Sequence, residues 1–149
     1  MLNYEIIDAT KKLGIARALK QYSPPFRIVD KYRLIDNGID PEATVQIEAN
    51  SNVIHEAANG AGPVDALASV LKKALTPIFP FLERIKLLDY HAEILDSSMG
   101  TATIVQVNII FTDGIEVWNV YSSSENINLA SFNVLVDGLE YAILKEQGK

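Results

Sequence analysis

The chain has no cysteine, which excludes disulfides and thiolate-held metals and fits a reducing, cytoplasmic setting. It has only two histidines, His55 and His91, so a zinc or iron site would need mostly carboxylate ligands. No motif of that kind occurs, and neither a metal nor a cofactor is expected. Positive charge is in deficit: 13 Lys and Arg against 19 Asp and Glu leave a net charge of −6. That balance argues against nucleic acid or an anionic membrane as the main partner. No unbroken apolar run reaches the roughly 18 residues of a membrane span, and the N-terminus shows no signal-peptide pattern. The phosphate-loop lysine and the third glycine of a dinucleotide fingerprint are also missing.

What is present suits one domain, or two small halves sharing a core, within 149 residues. Tyr4 to Tyr22 carries Ile6, Ala9, Leu13 and Ala16 at helical spacing and ends at Ser23-Pro24-Pro25, so residues 1–25 are expected to be a helical connector. Period two then takes over. Phe26 to Asp36 is strand-like, Asp36-Asn37-Gly38 is a turn, and Ala43, Val45, Ile47 and Ala49 alternate with polar residues. After Asn50-Ser51-Asn52 come a strand over Val53 to Ala58 and a helix from Pro63 to about Leu75.

The order then repeats: Ile85 to Leu95, a turn at Ser97-Ser98-Met99-Gly100, Thr103 to Phe111, a turn at Thr112-Asp113-Gly114, Ile115 to Tyr121, and a helix from about Ile127 to Lys145. Asp30 falls opposite Asp89, Val45-Gln46-Ile47 opposite Val105-Gln106-Val107, and Gly62 opposite Asn126. The expectation is an α+β fold of two pseudo-twofold strand-strand-strand-helix units, over residues 26–80 and 81–149, with mostly antiparallel sheets and helices packed against them. On Ile85 to Leu95, strict alternation puts Leu88, Tyr90, Ala92 and Ile94 on one face. Asp30 does not follow the same phase, which implies a bulge or a different partner in one of the two strands.

No catalytic constellation emerges. Ser122, Ser123 and Ser124 lack an interpretable base, and a serine run ahead of a helix is a cap, with Ser124 or Asn126 as acceptor. His55 and Glu56 point to opposite faces. Asp89 and His91 share a face and make the weakest of the alternatives, an active site of their own. Binding is better supported. Asn59 to Ala66 forms a small-residue turn running into a helix start, and Glu125-Asn126 stands at the equivalent place. Each start is expected to offer free N–H groups and a positive dipole end to a carboxylate. Asp65 either stabilises its own helix or meets an ammonium group. Small residues leave room at Ala57, Ala58, Ala61 and Ala66, and Leu88, Tyr90 and Ile94 supply an apolar wall. A free aliphatic amino acid meets these features together.

Gly60-Ala61-Gly62-Pro63-Val64-Asp65-Ala66, Ile85-Lys86-Leu87-Leu88-Asp89-Tyr90, Ser124-Glu125-Asn126-Ile127-Asn128-Leu129-Ala130-Ser131 and Val134-Leu135-Val136-Asp137-Gly138-Leu139-Glu140-Tyr141 occur in this order. With these motifs the chain from Phe26 to Leu144 resembles the C-terminal regulatory domain of the 2-isopropylmalate synthase and (R)-citramalate synthase family, the citramalate branch more closely. The resemblance implies a homodimer formed through its sheets and an effector, isoleucine or leucine, that inhibits a linked barrel enzyme in cis or in trans. It implies effector contacts from Gly60, Ala61, Gly62, Val64 and Asp65, a side-chain pocket from Leu88, Tyr90 and Ile94, and contributions from Ile127 and Ala130. Ala61 stands where the family usually has a polar residue, Ser122 where glycine is common, and Thr101-Ala102 lacks an aspartate of the isopropylmalate branch. The acetyl-CoA-condensing barrel needs around 250 residues and is absent from these 149. The chain is thus expected to be non-catalytic, either a fragment or a stand-alone module. The alternative is a dimerisation scaffold that has lost its effector site.

Overall fold

A computed structural model describes residues 5–96 and 103–148; the turn expected at Ser97 to Gly100 and the Thr101-Ala102 position lie outside the described residues. The N-terminal segment is not one helix. Ile6 and Ile7 are β-branched and enter a short strand, β1 (Ile6–Asp8), and the helix α1 covers only Ala9–Ala18. Asp8 sets that boundary as N-cap, its carboxylate accepting the Lys11 N–H at 3.0 Å. Ala9 and Leu13 are buried as the periodicity requires, but Ile6 is exposed.

Two strand-strand-strand-helix runs follow, the first with its opening strand split in two. The first comprises β2 (Arg27–Ile28), β3 (Arg33–Ile35), β4 (Glu42–Ala49), β5 (Asn52–Asn59) and α2 (Pro63–Leu75). A 3-10 turn (Pro80–Arg84) leads to the second: β6 (Lys86–Asp96), β7 (Ile104–Thr112), β8 (Val117–Ser124) and α3 (Ile127–Gln147). The fold is α+β, with antiparallel pairing throughout except for β1, which runs parallel to β8. Two compact units result. One takes the segment up to Tyr22 with Arg84–Ala142, and the other takes Ser23–Glu83 with the end of α3 from Ile143. Of the segment expected as a connector over residues 1–25, the part up to Tyr22 therefore belongs to the unit of the second repeat and Ser23–Pro25 to that of the first.

In the first-repeat unit β4 is central. It pairs with β5 from Glu42↔Asn59 to Ala49↔Asn52, leaving a two-residue hairpin at Asn50 and Ser51. Both turn residues have positive φ, 51° and 65°, the type I′ geometry whose twist matches that of the strands. The other edge of β4 pairs with β2 and then with β3. The strand expected over Phe26 to Asp36 is split because Ile28↔Ile47 and Arg33↔Thr44 leave Val29 to Tyr32 facing only Gln46 and Val45. Asp30 takes φ 64° within this bulge. Ala43, Val45, Ile47 and Ala49 alternate into the core, where α2 packs on β4 and β5 with Ala66, Leu67, Val70, Leu71, Ala74 and Leu75 buried.

The second-repeat unit has the sheet order β1-β8-β7-β6. Its core stacks Phe111 on Trp118, centroids 6.2 Å apart, and sets Tyr141 of α3 against Trp118 at 5.5 Å. The Trp118 Nε1–H donates to the Gly138 carbonyl at 3.2 Å, satisfying a polar group that is otherwise fully buried. Gly138 lets α3 come this close: a Cβ there would lie 2.2 Å from the Phe111 ring. α3 has the length and mean hydropathy (1.2) of a membrane span, yet 56% of that window is buried inside the protein, as in a core helix.

Irregularity is not confined to one copy. In β6, Leu87 faces Phe111 and Asp89 faces Ile110, so Leu88 is an extra residue, and a second shift follows Ile94. Both repeats are thus bulged at the place where the duplication equates Asp30 with Asp89.

Candidate functional site

In the first-repeat unit the glycine turn passes over the start of α2. Gly60 donates its N–H to the Pro41 carbonyl at 3.0 Å, and a Cβ on Gly60 would sit 2.3 Å from Ala66 N, inside the helix backbone. Close packing alone therefore requires this glycine. Gly62 differs. It is the N-cap of α2 with extended φ −144°, and a Cβ there would meet nothing within 4 Å. Its carbonyl accepts the Ala66 N–H at 3.0 Å, Pro63 has no N–H, and no side chain caps the helix. The positive end of α2 is open toward Ala61, which is exposed, and toward Val64 and Asp65 in the first turn.

The equivalent start of α3 is closed, contrary to the expectation that both starts offer free N–H groups. Asn126 Oδ1 accepts from Asn128 N–H at 2.9 Å and from Leu129 N–H at 3.1 Å. Ser124 Oγ in turn accepts the Asn126 N–H at 3.0 Å. The physical reason is the residue itself: asparagine carries a capping oxygen, and the glycine at the matching place in the other repeat does not.

In the second-repeat unit the bulge rearranges the face expected on β6. Leu87, not Leu88, joins Tyr90, Ala92 and Ile94 on the side that faces Phe111, Ile109, Val107 and Val105. Because β6 is an edge strand, Leu88, Tyr90 and Ile94 are 56%, 37% and 63% exposed. Tyr90 is fixed at its tip: its hydroxyl lies 2.9 Å from Ser131 Oγ on α3. Ser131 spends its own proton on the Ile127 carbonyl at 2.8 Å, so Tyr90 is the donor of this pair. Ile127 is exposed at the start of α3, and Ala130 in the same turn is fully buried.

Catalytic alternatives find no geometry. His91 Nε2 lies 3.7 Å from Glu93, and Asp89 Oδ1 accepts its neighbour's Tyr90 N–H at 3.0 Å. Glu56, beside His55, faces Lys73 at 3.6 Å. Among the described residues no group of three or more His, Asp or Glu side chains could hold a metal ion.

A cluster that periodicity did not single out lies in the second-repeat unit. The Arg17 guanidinium donates to Asp137 at 2.8 Å and to Glu140 at 3.1 Å, and the Tyr22 hydroxyl bonds the other Glu140 oxygen. Glu140 is only 5% exposed. Burial and the Glu140 carboxylate push the Tyr22 hydroxyl above its usual pKa. Burial disfavours the Arg17 charge, but Asp137 and Glu140 outweigh it and hold the guanidinium above its ordinary value. The available signal was two carboxylates, Asp137 and Glu140, at i and i+3 in the otherwise apolar stretch from Val134 to Leu144, residues that are rarely buried unless paired.

Residues 8–143 match the family described as the LeuA allosteric (dimerisation) domain. The chain is 38% identical to an (R)-citramalate synthase of Geobacter sulfurreducens and 33% identical to one of Aquifex aeolicus, each over 97% of this chain and 28% of the relative. A Synechocystis (R)-citramalate synthase is 39% identical over 94% of the chain and 27% of its own length. The chain thus spans under a third of the curated relatives it matches, and its 149 residues hold no catalytic barrel. By its ordered motifs, its repeated strand-strand-strand-helix units and this match along nearly its whole length, the chain belongs to the LeuA allosteric (dimerisation) domain family.

Proposed function

We propose that this domain binds a branched-chain amino acid, isoleucine or leucine, and relays feedback inhibition to an acetyl-CoA-dependent synthase of the citramalate or 2-isopropylmalate type. The synthase barrel would act in cis or in trans, in the cytoplasm, with the domain as a homodimer. The observation that carries the proposal is β6: an edge strand of a family named for allostery, with Leu87, Tyr90 and Ile94 exposed along one side and Tyr90 already anchored to α3. Exposed aliphatic and aromatic groups of this kind gain from covering an aliphatic side chain, at about 25 cal/mol per Å². Ile127, exposed at the start of α3, and the buried Ala130 are assigned the contributions from that helix.

To the open start of α2, taken within its own unit, we assign the binding of an amino acid's carboxylate, through the backbone around Gly60, Ala61, Gly62 and Val64, and to Asp65 the binding of its ammonium group. Isoleucine and leucine differ in the position of one methyl, so discrimination between them is about 1–3 kcal/mol at most. Coupling to the synthase is expected in the ordinary allosteric range of about 1–3 kcal/mol.

Calorimetry with isoleucine, leucine, valine and glutamate tests the proposal. Binding of an aliphatic amino acid, with none for glutamate and loss in Ile94→Asp, is the expected result. A tight dimer that takes up no amino acid would leave the scaffold that has lost its site as the correct description.

A further inference from the structure

The cluster around Glu140 has no part in the effector site proposed above. Both Glu140 oxygens are taken, one by Arg17 from the last turn of α1 and the other by Tyr22 just beyond it. Asp137 holds the same guanidinium from one turn earlier on α3. Nine residues before Glu140, Ser131 receives the Tyr90 hydroxyl from β6. At about 100° per residue, that spacing puts Ser131 and Glu140 on opposite flanks of α3. The helix is therefore gripped by β6 on one flank and by the N-terminal segment on the other.

Between the two grips α3 cannot easily bend. Gly138 rests on the Phe111 ring, and the Trp118 indole is bonded to the Gly138 carbonyl. Close-packed interiors transmit a displacement instead of absorbing it. At the far flank, separating Arg17 from Glu140 would strand a buried carboxylate, so the N-terminal segment must follow the helix. That segment is itself stitched to the sheet by the β1–β8 pairing and by Tyr121 N–H donating to Thr10 Oγ1 at 3.0 Å.

We infer that Arg17, Tyr22, Asp137 and Glu140 form a clasp that couples β6, through α3, to β1 and α1. They are positioning residues of regulation and touch no effector themselves. The inference deepens the proposed effector site and rests on it only for what displaces β6.

Hydrogen exchange on the full 149-residue chain tests it from both ends. Tyr90→Phe removes only the hydroxyl on Ser131, and it should speed exchange in α1 about tenfold while β7 stays unchanged. Arg17→Met should do the same to β6, and Arg17→Lys should restore part of the protection. Glu140→Gln is the harsher version; if it does not fold, Arg17→Met decides. Changes confined to α1 in Arg17→Met and to β6 in Tyr90→Phe, or a rise shared equally by β7, would overturn the clasp. In a second arm, saturating isoleucine or leucine should slow exchange in α1 of the parent chain. In Arg17→Met it should bind with undiminished heat and leave α1 unprotected; equal protection of α1 in both proteins would also overturn the clasp. Absence of heat with either amino acid would refute the effector site alone, and the clasp would then stand or fall on the first arm.

Discussion

Glycines of one spelling carry different loads here, and only their surroundings tell them apart. Gly60 and Gly138 are places where another atom already occupies the space of a Cβ, at 2.3 Å and 2.2 Å. Gly60→Ala must open the turn from α2 or shift the helix start, so unfolding in urea should show a loss of about 1–3 kcal/mol. Gly138→Ala gains roughly 1 kcal/mol of helix propensity but overpacks the Phe111 ring, and a net loss is expected. Shrinking the ring in a Gly138→Ala, Phe111→Leu double variant should recover part of that loss; additive losses would mean the two residues do not share the strain. At this scale the sequence is informative about chemistry and blind to proximity. Trp118 is recognisable as packing, and the structure buries it completely. Nothing in Gly60-Ala61-Gly62 says which glycine is pressed against a helix and which stands in open space.

Among the elements, α2 is the most legible, bounded at Pro63 and Leu75 as expected, because proline at N1 and a strong apolar stripe agree. The first helix reads too long from sequence because Ile6 falls on the helical stripe by spacing although it belongs to a strand whose partner lies far along the chain. Bulges escape in part for a related reason. Period two reads one strand at a time, and an extra residue such as Leu88 exists only relative to the strand opposite. The two helix starts also look alike until their caps are visible. Gly62→Ser would supply the missing oxygen at the α2 start. It should raise stability by a few tenths of a kcal/mol and, by occupying the N–H groups assigned to the effector carboxylate, weaken amino-acid binding at least about tenfold. Calorimetry and thermal unfolding on the same sample check both directions. The β4–β5 hairpin offers a simpler case. Ser51 holds φ 65° in a type I′ turn that prefers glycine, so Ser51→Gly should stabilise the chain by about 0.5–1 kcal/mol in a urea titration.

For the whole molecule, duplication is the strongest inference the residues allow, since matched motifs at similar offsets survive errors in individual boundaries. How the N-terminal segment is used is not available at that level. If the domain is a homodimer that binds an aliphatic amino acid, its thermal midpoint should rise with protein concentration and again with effector. At an effector concentration of 100 times Kd the gain is about 2.7 kcal/mol. A midpoint indifferent to both would count against dimer and effector together.

The parallel pairing of β1 with β8 bears on how this domain comes into being. Thr10 and Tyr121, bonded across the two segments, are 111 residues apart, so β1, once made, has no seat until β8 has been made as well. Until then its apolar residues travel uncovered. The same seat governs excision: a piece begun at Ser23, where composition suggests a clean boundary, would bare the edge of β8 and should associate or precipitate where the longer chain stays dispersed.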